Sequence, residues 1–336
     1  MVARMNRQWV LAKRPVGMVS EADFELREAP VPELADGEYL VRNIYLSFDP
    51  TMRGWMEDTP SYLPPVELGE VMRATTLGQV VESRSPNHKP GDLVQGLLGL
   101  QEWAVGGRGL AHGAPIPAGT PPTWSVSVLG VTGITAYFGM LDLGRPEEGN
   151  TVLVSGAAGA TGSVAAQIAK IKGCRVIGIA GGATKCGWLE EQARLDATID
   201  YKSQDVGQRI AELCPGGIDV FFDNVGGDIL EAALDNLAER ARIVLCGAIS
   251  GYNEENPPPG PRNIMNLVLK RARMEGFIVI DYMARFGEAV EALAGWVQEG
   301  RIAHQEDVQE GFENAPATFL RLFRGENHGK QLLKIA

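Results

Sequence analysis

A chain of 336 residues exceeds one ordinary domain and predicts two, and 45% hydrophobic with 22% charged residues suffices for ordinary folded cores. The formal net charge of −11 argues against nucleic acid, which is bound through a basic surface, and against an anionic membrane face. The opening MVARMNRQWVLAKRP has no apolar targeting core, and nowhere do 18 apolar residues run together, so a cytoplasmic protein is expected, with no nucleic-acid or membrane partner.

Up to residue 123, β-like stretches such as EYLVRNIYLSF and LGQVVES alternate with proline and glycine clusters, PVPELADG, SPNHKPGD and HGAPIPAGTPP. Turn signals at this spacing predict a compact β-rich domain over 1–123. VLV at 152–154 then reads as a strand buried on both faces. Beyond an Ala/Gly cluster, Val164, Ile168 and Ile171 fall at i, i+4 and i+7, one stripe of a helix. The cluster is therefore a strand-to-helix turn, and the helix N-terminus beyond it offers N–H groups and partial positive charge to an anion. Against the G-x-G-x-x-G template, Ala157 takes the first glycine position, Gly159 the second and Gly162 the third. On the motif alone, a tight turn without ligand stays open as the alternative.

Further strands are predicted at 175–182, 197–200, 218–227, 242–248 and 275–281, with helical stretches at 186–194, 206–213, 229–238 and 264–273. Six strands alternating with helices make a doubly wound parallel sheet, an α/β dinucleotide-binding domain over 124–284. Its second strand ends in Ala180, Gly181 and Gly182 without the acid that bonds an NAD ribose, and Lys185 follows. A carboxylate there would repel a 2′-phosphate whereas a lysine attracts it, which favours NADP(H), although a solvated lysine near a helix start is the plainer alternative. The chain closes with helix-like stretches at 286–300 and 315–323 and a strand-like GKQLLKIA, a return over 285–336 that would complete the first domain. The four cysteines, Cys174, Cys186, Cys214 and Cys246, lack metal-like spacing and read as ordinary buried thiols.

YLSFDPTMRGWM, AAGATGSVAAQIAK, GIAGGATK, FFDNVGG, CGAISGYN, MEGFIV, GFENAP and GENHGK occur in that order. With the domain pattern they resemble the zinc-independent medium-chain dehydrogenase/reductases over essentially the whole chain. More specifically the chain resembles their leukotriene B4 dehydrogenase/prostaglandin reductase branch, which includes curcumin reductases and 2-alkenal reductases. The resemblance implies a Rossmann sheet plus a GroES-like β-rich domain, and a homodimer. It also implies that Gly159, Ala160, Thr161 and Gly162 seat the pyrophosphate of NADP(H), while Lys185 and Tyr201 hold its 2′-phosphate. Asn224, Cys246, Gly247, Ala248, Ile249, Ser250, Tyr252, Phe277, Ile278, Val279 and Asn327 would line the rest of the cofactor. Relatives often carry tyrosine after the Asp-Pro of the early motif, where this chain has Thr51; Met52 and Tyr62 are candidates for lining the substrate pocket, with a purely structural role equally open.

Zinc-dependent relatives need Cys and His ligands in the first domain, yet no cysteine precedes Cys174, and His88 and His112 sit in proline- and glycine-rich loops, so no metal site is expected. Hydride addition to the β-carbon of an α,β-unsaturated ketone or aldehyde moves charge to the carbonyl oxygen, where hydrogen-bond donors suffice. NADPH-dependent reduction of an activated C=C bond is the expected reaction, with an enone or enal as the small-molecule partner and Tyr252 as the donor to which the resemblance points. An NADPH quinone reductase and an NADPH-binding protein without turnover are the alternatives.

Overall fold

The computed structural model describes residues 4–116, 119–256 and 259–336. The chain divides into two units, Met1–Ser127 with Glu306–Ala336, and Val128–Gln305. Strands of the first unit follow the alternating and β-branched stretches of the sequence. β1 (Met5–Leu11) pairs antiparallel with β2 (Phe24–Pro30). β3 (Tyr39–Phe48) is the hub of a larger sheet and pairs antiparallel with β4 (Thr75–Ser83). β5 (Leu93–Gly96), β6 (Trp103–Gly106) and β7 (Gly113–Pro115) follow, with β5 between β4 and β7 and β6 against β3.

The second unit begins with α1 (Val131–Phe138), whose Ile134, Ala136, Tyr137 and Phe138 are all buried. Strands and helices then alternate: β8 (Thr151–Val154), α2 (Ala160–Ile171), β9 (Arg175–Ala180), α3 (Ala183–Glu191), β10 (Ala197–Asp200), α4 (Val206–Leu213), β11 (Ile218–Asp223), α5 (Gly227–Asp235), β12 (Leu237–Leu245), α6 (Asn266–Lys270) and β13 (Arg273–Gly276). The strand order is β10-β9-β8-β11-β12-β13, all parallel. Successive strands are added outward on one side of β8 and then, from β11, on the other, and in such sheets ligands bind outside the carboxyl ends of the strands at that switch point. Val152, Leu153, Val154, Ile177, Ile179, Phe221 and Phe222 are fully buried in these strands. Each such side chain contributes roughly 1.5–3 kcal/mol by leaving water, so the central strands form a rigid base for the loops at their ends.

Several expected boundaries change here. The fourth strand ends at Asp223, because Gly226 (φ +73°) and Gly227 (φ +55°) turn the chain into α5. The sixth strand stops at Gly276, and Val279–Arg285 is a 3-10 helix where strand had been expected through 281. α7 (Phe286–Gln298) belongs to the second unit rather than to the return, with Leu293 against Gly133 of α1.

The return is β14 (Glu306–Glu310), α8 (Ala315–Arg324) and β15 (Lys330–Lys334). β15 adds antiparallel to β3, Gln331 opposite Phe48 and Lys334 opposite Tyr45, with β14 parallel on its other side. Phe312, Phe319 and Leu333 of the return join Leu46, Phe48, Met52, Trp55 and Met56 in one apolar core.

Candidate functional site

The glycine turn after β8 is tighter than its degenerate motif suggests. Gly156 supplies the left-handed residue (φ +58°), one position before the template's first glycine, so Ala157 can occupy that position with ordinary backbone angles. Ala157 is fully buried, donates its N–H to the Ile179 carbonyl at 2.9 Å, and lies where a Cβ on Gly178 would come within 3.0 Å of its methyl. A Cβ on Gly162 would sit 2.9 Å from the Gly156 carbonyl carbon and closer still to its oxygen, so only glycine lets α2 start this near the strand. Gly159 is the N-cap, Ala160, Thr161 and Gly162 form the first turn, and the N–H groups of a helix start have no partners within the helix.

At the next strand end, Gly181 follows β9 and its missing side chain matters. A Cβ there would lie 2.8 Å from the Tyr201 hydroxyl oxygen and 2.9 Å from its ring. Tyr201 thus fills the space into which a side chain at position 181 would project. Gly182 (φ +93°) caps α3, which places Lys185, half-buried, in that helix's first turn. One carboxylate nearby escaped the sequence reading: Asp200 accepts the N–H of Gly182 at 2.8 Å and of Lys202 at 3.0 Å, and the Ser203 hydroxyl at 2.9 Å. The Gly182 and Lys202 N–H groups hold this carboxyl below the usual range.

A third group assembles at the ends of β8, β11 and β12. Asn224 donates its side-chain amide to the Ser155 carbonyl at 2.7 Å and its N–H to the Ser155 hydroxyl at 2.8 Å. Its own carbonyl accepts the Ile249 N–H at 3.2 Å, while the Val225 carbonyl accepts both the Ser250 hydroxyl at 2.6 Å and the Ser250 N–H at 3.1 Å. Asp223, absent from the sequence-based candidates, is fully buried below them; burial raises its carboxyl, and Ser155 and the N–H groups of Val225 and Gly226 oppose that rise. Cys246 and Gly247 donate their N–H groups to the Asp223 carbonyl at 2.8 and 3.1 Å. Burial pushes the Cys246 thiol up to about 12, so it stays protonated and unreactive at neutral pH. Ile249–Gly251 forms a 3-10 turn that brings Tyr252 back over its own loop, its hydroxyl oxygen accepting the Ala248 N–H at 3.3 Å. A Cβ on Gly247 would reach 3.0 Å from that oxygen.

Phe277, Ile278 and Val279 are half-buried beyond β13. The Phe277 ring packs where a Cβ on Gly139 would come within 2.6 Å and meets Tyr282 edge-on, with centroids 6.3 Å apart.

The remaining candidates belong to the first unit. Met52 is 1% exposed in the apolar core, so its side chain serves packing rather than a pocket wall. Tyr62 is exposed, its hydroxyl bonded to Thr51 and accepting the Trp55 indole N–H at 3.2 Å. The residue that replaces the relatives' tyrosine therefore holds another tyrosine hydroxyl. Asn327 donates to the Gly329 carbonyl at 2.9 Å. Buried Lys330 pairs with Asp49 and donates to the Phe48 carbonyl at 3.2 Å, which fastens the GENHGK segment to the Asp-Pro turn. Among the described residues no cluster of three or more His, Cys, Asp or Glu is arranged to hold a metal ion.

A GroES-like domain and a six-stranded Rossmann sheet in this order define a medium-chain dehydrogenase/reductase, and the chain belongs to that family. Residues 7–111 match the family described as the N-terminal domain of oxidoreductase, and residues 160–295 the one described as zinc-binding dehydrogenase. Within it the chain falls in the branch of curcumin, prostaglandin and 2-alkenal reductases. It is 44% identical to the NADPH-dependent curcumin reductase of Escherichia coli over 98% of this chain and 97% of that one. It is 35% identical to the NADP(+)-dependent 2-alkenal reductase of Nicotiana tabacum over 98% of each. The crystal structure of CurA from Vibrio vulnificus in complex with NADPH, 41% identical, matches with a TM-score of 0.93 over 98% of this chain and 99% of that chain.

Proposed function

We propose that this protein reduces the activated C=C bond of α,β-unsaturated ketones and aldehydes with NADPH. The observation that carries the reading is the joint placement of the Gly156–Gly162 turn, Asn224 and the 246–252 loop at the carboxyl ends of β8, β11 and β12. The full-length similarity to NADPH-dependent curcumin and 2-alkenal reductases supports it.

The cofactor fits the residues present: Gly162 admits a helix start close to the strand, β9 is followed by glycine rather than an acid, and the nearby Asp200 carboxylate is engaged by the Gly182 and Lys202 N–H groups and the Ser203 hydroxyl. The N–H groups at the start of α2 would hold the pyrophosphate, and Lys185 with Tyr201 the 2′-phosphate. NADPH, when bound, supplies the hydride that adds to the β-carbon. The Tyr252 hydroxyl donates to the carbonyl oxygen as negative charge gathers there, which lowers the barrier because the bond is stronger in the transition state than in the ground state. The α-carbon then takes its proton from solvent. Loss of NADPH absorbance is the test, measured with a panel of 2-alkenals, enones and quinones. Turnover of alkenals and enones is expected; turnover of quinones alone would replace the reading with a quinone reductase.

The same reading includes a cytoplasmic location, which suits four unpaired cysteines, and a homodimer. No helix of the described residues is long and apolar enough to cross a membrane. β13 is an open sheet edge, and α6, which leads into it, leaves Val268 and Leu269 exposed by 64% and 67%. Antiparallel pairing of two β13 strands about Met274 would set Arg273 of each copy opposite Glu275 of the other. A chain that runs as a monomer in light scattering would remove this part of the reading.

A further inference from the structure

We infer that Asp223, acting through Ser155, is the positioning residue that sets the Tyr252 loop in register with the glycine turn; the inference rests on the proposed NADPH site. Both residues are fully buried. One Asp223 carboxylate oxygen accepts the Ser155 hydroxyl at 2.6 Å and the N–H groups of Val225 at 3.0 Å and Gly226 at 3.1 Å, and the other accepts Gly226 at 3.2 Å. Its main-chain carbonyl takes the N–H groups of Cys246 and Gly247. Ser155 in turn opens the glycine turn and receives Asn224 on both its hydroxyl and its carbonyl.

Loops 155–162 and 224–227, far apart in sequence, are therefore fastened to each other through these two side chains, and loop 246–252 follows through the main-chain carbonyls of Asp223, Asn224 and Val225. Every side-chain partner of Asp223 is a donor, which is why the residue is a carboxylate and not its amide. In Asp223→Asn, an amide oxygen turned to Ser155 and Val225 leaves the NH2 facing the Gly226 N–H, donor against donor in a buried site. In Ser155→Ala, Asp223 loses a donor and the Asn224 N–H loses its acceptor. Unsatisfied buried groups cost enough for the loops to relax, and Ile249 and Ser250, which hang on Asn224 and Val225, carry Tyr252 with them.

A residue that only stabilised the fold would lower kcat by the same factor whether or not Tyr252 had its hydroxyl. A residue that aims that hydroxyl would not. The test is a double-mutant cycle on the full chain, with kcat read at saturating NADPH and a 2-alkenal, and NADPH dissociation constants read by fluorescence. Ser155→Ala is expected to lower kcat about tenfold in the wild-type background and less than about twofold in Tyr252→Phe. Asp223→Asn is expected to weaken NADPH about tenfold, since the Asn224 loop relaxes with it. Equal factors in the two backgrounds, or an unchanged NADPH affinity in Asp223→Asn, would overturn the inference. If the wild-type chain binds NADPH yet reduces no enal or enone, the proposed function fails by itself, and the NADPH affinity of Asp223→Asn alone decides this inference. If Asp223→Asn does not fold, the Ser155→Ala cycle decides.

Discussion

Alanine at position 162 and alanine at position 159 should fail in different ways. At 162 the new Cβ would stand 2.9 Å from the Gly156 carbonyl carbon, with the oxygen nearer still. Carbon atoms pack at about 3.5–4.0 Å, so the turn and the start of α2 must part by roughly 1 Å. Overpacking of this kind costs about 1–3 kcal/mol. In a unit of this size each kcal/mol lowers Tm by roughly 2–4 °C, so a fall of about 3–10 °C is expected without any ligand. The same shift withdraws N–H groups from the pyrophosphate, and losing one charge-assisted bond weakens NADPH about ten- to hundredfold. At 159 a Cβ meets only the Gly156 oxygen at 3.2 Å, so Gly159→Ala should keep nearly the wild-type Tm without cofactor. It should nevertheless lose NADPH affinity, because the second glycine of such a turn lets backbone approach the phosphates. Differential scanning fluorimetry with and without NADPH separates the two. Equal Tm values for wild type and Gly162→Ala would refute the packing argument, and unchanged NADPH stabilisation of Gly159→Ala would remove the turn from the cofactor site.

Lys185→Ala should weaken NADPH about ten- to hundredfold, the worth of a charge-assisted phosphate contact, and NADH hardly at all; equal losses for both cofactors would take Lys185 out of the 2′-phosphate site. Tyr252→Phe should lower kcat about tenfold to a hundredfold with a saturating 2-alkenal while NADPH affinity stays near wild type, and a wild-type kcat would leave the ring with packing alone. Burial raises the Asp196 and Asp307 carboxyls, but the Lys170 ammonium and Val176 N–H on one, and Arg321 on the other, outweigh it and hold both below the usual range. Their stabilisation is therefore present above the unfolded value of about 3.9 and lost as pH falls through the lower folded values. Thermal melts from pH 6 to pH 2 should show Asp196→Asn losing less Tm over the acid range than wild type, and parallel slopes would contradict this.

The strands and turns that carry the nucleotide-binding unit were legible because burial on both faces leaves short apolar runs such as VLV and IDVFF. α1 was not, since VTGITAYF is buried on several sides and lacks a polar stripe to mark its period. MEGFIVID reads as one apolar run, yet β12 pairs with it only as far as Gly276, and Phe277 leaves the sheet to pack over Gly139. Lys185 and the glycine turn were legible as local chemistry. Asp223 and Ser155 were not, because their role depends on hydrogen bonds between segments 68 residues apart, and an aspartate at a strand end looks like any turn former. Met52 was ambiguous in sequence and the core claims it.

The central claim is hydride delivery to carbon rather than to oxygen. Reduction of an enone with NADPH carrying deuterium at the transferred position, followed by NMR of the product, reads the acceptor atom directly. A saturated ketone with deuterium on the β-carbon is the result this account predicts. An allylic alcohol with deuterium on the former carbonyl carbon would contradict it.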